Sequence, residues 1–474
     1  MNINEHIPTE IIQIFSSSEV VSYHIIPFAK EGTNELKCYG KEGLDYSSLI
    51  NEIKVIYGYS ISLVILSAEE FSRGVNLYYR QGKTAQSNFN ISQIGGLEFI
   101  NSLIQEADSI RSSDIHFEPY EKECRIRMRI DGKLMERYII QHTEYPALVN
   151  KIKIQSKLDI TEKRLPQDGR MLFEHDNQKF DVRVSILPTI YGSKIVFRLL
   201  TREQNLLDIR NLGFSEKQYN DYIRSVQSPH GLVLISGPTG SGKSTTLYAT
   251  LRYLNREDNN IVTIEDPVEY TLPGVNQVQL KEEIGLTFAS ALRTFLRQDP
   301  DIIMLGEIRD QDTAEMAIRS SLTGHMLLST IHTNSAWGSI TRLIDMGVQP
   351  YLISDTLVAC VAQRLIRILC PHCKQPHVLD NAIYKSLNLD PQSIFYKPVG
   401  CDKCYYKGYK GRKAIYEVIK IDAELAEAIR IGATNMEAYF QKRQITSLKD
   451  SALFLFKEGE TSFEEVFMII NGYI

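Results

Sequence analysis

The chain has 474 residues, 43% of them hydrophobic and 23% charged, with a formal net charge of −5. That length exceeds one ordinary core and predicts about three domains of a soluble globular protein. The negative balance argues against an obligate nucleic-acid binder, no run of about 18 apolar residues offers a transmembrane helix, and Met1–His6 lacks the basic and apolar regions of a secretory signal.

Residues 1–80 read as a small α+β interaction module, with strands expected at Val20–Pro27 and Ile61–Leu66 and an amphipathic helix at Tyr46–Ile56. Nothing in this stretch carries chemistry. The polar run Arg80–Asn88 has no apolar periodicity, so residues 81–94 are assigned as a linker. A second α+β domain follows over 95–204. Within it, Cys124–Ile130 alternates strictly, placing Ile126, Met128 and Ile130 on one face and Arg125, Arg127 and Arg129 on the other, with Asp131-Gly132 as a tight turn. Phe180–Ile186 alternates too and is joined through Tyr191-Gly192 to Lys194–Leu200. On pattern alone these arginines are either a solvated sheet face or a functional one.

From 205 to 366 the pattern becomes strand–helix–strand. Leu232–Ser236, Ile261–Glu265, Ile302–Leu305 and Met326–Ile331 are continuous apolar runs, as in a parallel sheet buried on both faces. The first run leads into Gly237-Pro238-Thr239-Gly240-Ser241-Gly242-Lys243-Ser244-Thr245, followed by a helix-compatible segment to Leu254. This is the strand–loop–helix setting of a P-loop. Its glycines let backbone N–H groups curl around a phosphate chain, Lys243 supplies a charge for the terminal phosphates, and Ser244 supplies a hydroxyl for Mg²⁺. The helix N-terminus adds its positive end to the same place. A bound nucleoside triphosphate is the expectation.

Three clusters lie at ends of the other strands: Glu265-Asp266-Pro267-Val268-Glu269, the acid Glu307 after Ile302–Leu305, and the histidines His325 and His332 flanking Met326–Ile331. Phosphoryl transfer to water needs held Mg²⁺, an oriented water and cationic stabilisation of the γ-phosphate. Acids and arginines of this kind suit those tasks.

Of seven cysteines, Cys38, Cys124 and Cys360 stand alone in apolar surroundings and read as buried thiols. Cys370, Cys373, Cys401 and Cys404 form two C-x-x-C pairs, predicting a tetrahedral structural zinc module over 367–410. His372 and His377 are alternative ligands, although four thiolates suffice. The tail, 411–474, reads as mainly helical.

The motifs together resemble the ATPases of bacterial type II secretion and type IV pilus assembly. The resemblance rests on the P-loop, Thr263–Glu269, Pro273–Gln279, Gly285–Ala289, Leu296–Asp301, Gly306–Asp310 and Gln363-Arg364-Leu365. It extends upstream through Ser113–Pro119 and Lys163–Arg170 and covers about three quarters of the chain, leaving residues 1–80 weakly matched. It implies a RecA-like P-loop core preceded by a PAS-like α+β domain and the small N-terminal domain. By resemblance, Glu307 sits near Mg²⁺, Glu269 orients or activates water with Glu265 and Asp266 in support, and His325 and His332 sense the γ-phosphate. Arg183 and Arg198 reach the nucleotide from the second domain, and Arg293, Arg297, Arg309 and Arg342 are further candidates for intersubunit or structural ion pairs. Ser335 departs from the acid usual after His-Thr-Asn, which bears on a supporting contact only.

The resemblance further implies a cytoplasmic homo-hexamer held peripherally at the inner membrane. Its partners are a membrane-embedded platform protein and the cytoplasmic domain of a bitopic membrane protein, docked by residues 1–80, with no direct nucleic acid. The cofactors implied are ATP, Mg²⁺ and Zn²⁺. Assembly and secretion motors commonly carry the tetracysteine module, whereas retraction and conjugation-type relatives typically lack it. The short N-terminal region without a second-messenger motif favours type II secretion. Pilus-extension and DNA-uptake pilus assembly ATPases are the alternatives, ahead of a DNA translocase or helicase and a non-hydrolysing scaffold.

Overall fold

The computed structural model describes residues 7, 11, 14, 15, 17–32, 35–79, 96–175, 178–200, 208–390, 392–405, 407–433 and 436–472. The expected linker, 81–94, lies outside them. Two compact units emerge: residues 1–201 with 399–408, and residues 202–398 with 409–474. Among the described residues no helix is long and apolar enough to cross a membrane.

The N-terminal part of the first unit is a three-stranded sheet in the order β1–β2–β3, with β1 (Ile25–Glu31) antiparallel to β2 (Glu35–Lys41) and β2 parallel to β3 (Ser60–Leu66). Helices Ser47–Tyr57 and Ala68–Tyr78 accompany it, the second started by a capping box between Ser67 and Glu70. The expected strand Val20–Pro27 is corrected. Ser17–Tyr23 is a helix and the strand begins only at Ile25, because burial of Val20 in this small core outweighs the β-preference of Val20-Val21.

The second part is a six-stranded antiparallel sheet in the order β6–β5–β4–β9–β8–β7. Its strands are β4 (Ser112–Pro119), β5 (Glu123–Ile130), β6 (Lys133–Gln141), β7 (Gln167–His175), β8 (Gln178–Thr189) and β9 (Gly192–Leu200). Helices Gly96–Ser109 and Tyr145–Gln155 cover one face, burying Ile126, Met128 and Ile130 with Phe99, Leu103 and Leu148. The alternation in β5 therefore sends Arg125, Arg127 and Arg129 to the other face. There Arg127 meets Glu118 at 2.7 Å, Arg125 meets Glu118 at 3.3 Å, and Arg129 meets Asp114 at 3.3 Å.

The second unit is built on a seven-stranded sheet, β12–β11–β13–β14–β10–β15–β18. Strands β10 (Gly231–Ser236), β11 (Ile261–Glu265), β12 (Asn276–Gln279), β13 (Ile302–Leu305), β14 (Met326–Ile331) and β15 (Leu357–Leu369) pair in parallel. A short antiparallel pair follows, β16 (Gln375–His377) with β17 (Phe395–Lys397). Strand β18 (Tyr409–Lys420) runs antiparallel to β15, from Ala359 opposite Lys420 to Leu369 opposite Tyr409. Every residue of β10, β11, β13 and β14 is buried, as the apolar runs require. Leu232 and Leu234 pack in one core with helices Phe288–Phe295 and Gln311–Leu322, while Val233 and Ile235 pack in another with helices Glu216–Val226 and Lys243–Leu254.

Residues 411–420, read as the start of a helical tail, are strand. Their pairing with β15 is non-local, and a stretch carrying Lys410, Arg412 and Lys413 shows no simple apolar alternation. The helices that follow, Ala423–Arg430, Glu437–Lys442, Leu448–Lys457 and Phe463–Ile470, contribute Leu425, Ala452, Phe456 and Val466 to the first of those cores. Arg367 of β15 fastens the last helix. It donates to Glu465 at 2.9 and 2.5 Å and lies 4.0 Å from the Tyr409 ring centroid.

Candidate nucleotide site and cysteine cluster

Strand β10 delivers the glycine-rich loop to the carboxyl edge of the sheet, where open α/β sheets bind ligands. Two glycines there are obligatory. Gly237 has φ +149°, and a Cβ on it would lie 2.6 Å from both the Gln363 carbonyl oxygen and Ser241 Oγ. Gly242 has φ +89°, and a Cβ would lie 2.7 Å from Gln363 Nε2. Gln363 of β15 is thus the wall behind the loop, and Thr246 Oγ1 donates to its side-chain oxygen at 2.8 Å. Helix Lys243–Leu254 starts at Gly242 without a side-chain cap, leaving its first N–H groups for another acceptor. The Ser241 hydroxyl is buried without a hydrogen-bond partner. Ser244 is exposed and Thr245 half-buried, the latter hydrogen-bonded to Tyr270.

Lys243 Nζ donates to the carbonyls of Gly237 and Pro238 at 2.8 and 2.9 Å. Burial lowers its pKa to about 8, with Glu307 opposing the shift and Arg364 adding to it. Curled glycines, an uncapped helix start, an orphaned hydroxyl and this ammonium together fit a phosphate chain.

Glu265 closes β11 and is only 4% exposed. It accepts from Thr263 Oγ1 at 2.6 Å, from Gln277 Nε2 at 3.1 Å, and from the Tyr248 hydroxyl. The same Tyr248 oxygen accepts the backbone N–H of Glu269 at 3.1 Å. Tyr248 belongs to the P-loop helix, so Glu265 and the Glu269 backbone are both referred to that helix. Sequence reading assigned no task to Tyr248 or to Gln277 of the Pro273–Gln279 stretch, because they meet the acids only in three dimensions.

Glu307 follows β13 with its side chain 14% exposed, in contact with Arg309 and 3.3 Å from His332 Nε2. Arg309 also approaches Asp266 at 3.9 Å, and hydrogen bonding to Glu307 raises its pKa. His332 thereby belongs to this edge. His325 does not. It precedes β14, its carbonyl accepting from Gly231 N–H at the start of β10. That position is six residues before Ile331 at the P-loop edge, about 20 Å at 3.3 Å per residue. The two histidines flanking β14 are thus set at opposite ends of the strand.

In the first unit, Arg170, Arg183 and Arg198 lie directly opposite one another across β7, β8 and β9. Arg198 Nε is 3.2 Å from Asp114 Oδ1, with its side chain 62% exposed. Like charges in such cross-strand pairs destabilise a sheet unless counter-charges offset them. Arg170 ends the matched stretch Lys163–Arg170 without a role of its own in the sequence, since the row exists only once the register is known. Arg293, Arg297 and Arg342 are exposed, and Arg297 donates to the Arg293 carbonyl. Ser335 Oγ accepts the Gly338 N–H at 3.1 Å.

The sulfurs of Cys370, Cys373, Cys401 and Cys404 all lie within 4.8 Å of one another. Each pair sits on a tight turn: Cys373 N–H donates to the Cys370 carbonyl, and Cys404 N–H to that of Cys401. Cys401 Sγ and Cys404 Sγ are 3.8 Å apart, matching the edge of about 3.8 Å that tetrahedral Zn–S bonds of 2.3 Å require. Backbone N–H groups of Cys401 and Gly408 donate to Cys404 Sγ at 3.1 and 3.3 Å, as they would to a thiolate. The donor set fits zinc, and His372 and His377 are exposed and outside the cluster. Cys38, Cys124 and Cys360 are buried free thiols.

Comparison with known proteins places this architecture. The family described as Type II/IV secretion system protein matches residues 95–468. The chain is 44% identical over 378 residues to the type II secretion system ATPase E of Vibrio cholerae, covering 79% of this chain and 75% of that protein. It is 40% identical over 448 residues to the type IV pilus assembly ATPase PilB of Myxococcus xanthus, covering 88% and 79%. Among solved structures, the Legionella pneumophila ATPase DotB is similar in fold, with TM-score 0.60, 20% identity, and 79% of this chain and 95% of that chain covered.

Proposed function

The chain belongs to the type II/IV secretion system protein family, and from that premise we propose that it is the ATPase driving pseudopilus assembly and protein export in a type II secretion system. The observation carrying this reading is the convergence at one sheet edge of the P-loop, the Glu265–Glu269 segment and the Glu307–Arg309–His332 group.

In this reading the backbone of Gly237–Thr245 and the Lys243 ammonium hold the phosphates. Binding exchanges the Gly237 and Pro238 carbonyls for phosphate oxygens as partners of Lys243. Glu269 orients the attacking water. Its backbone is anchored through Tyr248, so the P-loop helix and the water-positioning segment move together. His332 and Arg309 set the Glu307 carboxylate, and His332 reports the state of the γ-phosphate. Mg²⁺ held at Ser244 near Glu307 would offset charge developing on the transferred phosphoryl group.

The arginine row of the first unit supports an anion-facing role for Arg183 and Arg198, supplied to the nucleotide of a ring, most economically a hexamer. Closure on ATP and reopening on release would then be the working stroke. The tetracysteine cluster, loaded with zinc, would brace the excursion between β15 and β18. The working location in this reading is the cytoplasmic side of the inner membrane, reached through a platform protein and a bitopic partner that docks residues 1–80.

A pilus-extension motor is the second reading, favoured by one observation: the pilus assembly relative aligns with 88% of the chain, against 79% for the secretion ATPase. Replacing Lys243 by Ala in the host, then quantifying the extracellular proteome and surface pili, separates the two. Lost secretion with intact pili supports the first reading. Lost pili with intact secretion supports the second. Loss of neither refutes both and turns attention to DNA-uptake pili.

A further inference from the structure

Arg364 follows Gln363 on β15, and the nucleotide chemistry above gives it no contact with the phosphates. Its side chain is one of the largest fully buried in the molecule, at 2% exposure. A buried guanidinium keeps its charge, so it persists where its hydrogen bonds and counter-charges are arranged for it. Its Nη1 donates to the Gln363 carbonyl at 3.0 Å, and a Cβ on Gly237 would lie 3.1 Å from that nitrogen. Its Nη2 donates to Asn334, 3.2 Å from the carbonyl and 3.4 Å from the side-chain oxygen. One planar group therefore spans the back of the P-loop and the turn two residues beyond His332.

Glu417 holds the other flank of that turn. It lies on β18, half-buried, and accepts the Ala336 N–H at 2.8 Å. It also accepts from the Leu448 N–H, the first residue of helix Leu448–Lys457, where the helix dipole favours a carboxylate. Arg364 and Glu417 each feel the other's charge. Between them, Ser236 Oγ, at the last residue before the P-loop, donates to the Ser335 carbonyl at 3.3 Å. The loop 332–336 is thus held by a cation, an anion and the strand that feeds the P-loop, and its leading residue is the histidine 3.3 Å from Glu307.

We infer that Arg364 and Glu417 are positioning residues for ATP hydrolysis: they set the 332–336 loop against the P-loop so that His332 meets Glu307 in register. The inference rests on the hydrolytic reading of this sheet edge. Neither residue touches the nucleotide in this account. Both act through the loop, and a lysine at 364 preserves the charge that Lys243 feels, so their effect is separable from that of Lys243.

The test is steady-state ATP hydrolysis by the full chain with Mg²⁺, comparing parent, R364K, E417Q, H332N and E417Q/H332N. Lysine keeps the charge of Arg364 but lacks the planar fork that reaches Gln363 and Asn334 at once. R364K is expected to lower kcat about tenfold with KM within about threefold, the mark of an interaction expressed in the transition state. Glutamine at 417 keeps an acceptor for Ala336 and the shape of the side chain, so E417Q answers the question should R364K not fold. It is expected to lower kcat about fivefold with KM and melting temperature near those of the parent. Because both variants act through His332, E417Q/H332N should be no slower than H332N alone, within about 1.5-fold. Multiplicative losses in the double variant overturn the inference while leaving the ATPase reading intact, as does E417Q indistinguishable from the parent. A parent without Mg²⁺-dependent hydrolysis overturns both.

Discussion

Nucleotide binding should take up protons above pH 8, because the P-loop lysine is partly neutral before the phosphates arrive. Burial against the Gly237 and Pro238 carbonyls brings the Lys243 pKa to about 8, opposed by Glu307 and assisted by Arg364. In the free protein the side chain is then about one-tenth neutral at pH 7, half neutral at pH 8 and nine-tenths neutral at pH 9. A bound phosphate chain selects the ammonium and lifts its pKa well above these values. Each binding event therefore draws in about half a proton at pH 8 and about 0.9 at pH 9, and affinity falls about tenfold between pH 7 and pH 9. Calorimetric titration with Mg–ADP in buffers of different ionisation enthalpy reads the uptake directly. Glu307→Gln removes the carboxylate that holds this pKa up, so its uptake midpoint should move to lower pH. Uptake near zero at pH 9, with affinity unchanged from pH 7, would show that Lys243 is already fully charged in the free protein.

Gly242→Ala forces a left-handed backbone on a residue with a side chain, costing about 1–2 kcal/mol, and pushes on Gln363 Nε2 at 2.7 Å. Weakened nucleotide binding in a chain that stays folded by circular dichroism is the expected result. Gly237→Ala meets the Gln363 backbone oxygen at 2.6 Å, which cannot rotate away, so its melting temperature should drop further than that of Gly242→Ala. Arg367→Ala strands the buried Glu465 carboxylate and should cost about 3–5 kcal/mol in urea denaturation, a loss below 1 kcal/mol contradicting the pairing. As purified, the chain should hold one zinc by mass spectrometry and show no fast-reacting thiols. Chelation should expose four, since burial pushes the Cys38 and Cys124 thiols up to about 12 and raises that of Cys360 as well.

Features whose physics is local were legible in the sequence. The P-loop declares itself through glycines at positive φ and a lysine at fixed spacing, the β5 faces through strict alternation, and the hairpin through Asp131-Gly132, both at positive φ. What needed the fold was pairing across distance. The register that lines up Arg170, Arg183 and Arg198 joins three strands, and the tie from Tyr248 to Glu265 and Glu269 joins a helix to a strand end. Strand β18 escaped notice because its partner lies a whole module upstream. His325 and His332 separate for a related reason: a histidine at each end of a strand looks symmetrical until parallel pairing with β10 shows which end carries the P-loop. Arg364 and Glu417 stood in plain view as a charged residue in an apolar strand and an acid in a tail, with nothing local to say that they flank the same loop.

Phosphate release from Mg–ATP by the purified full chain, its Lys243→Ala variant and its Glu307→Gln variant tests the central claim most directly. The parent is expected to hydrolyse ATP and both variants to lose that activity, with Glu307→Gln still binding nucleotide. Hydrolysis by Glu307→Gln at the parental rate would contradict it.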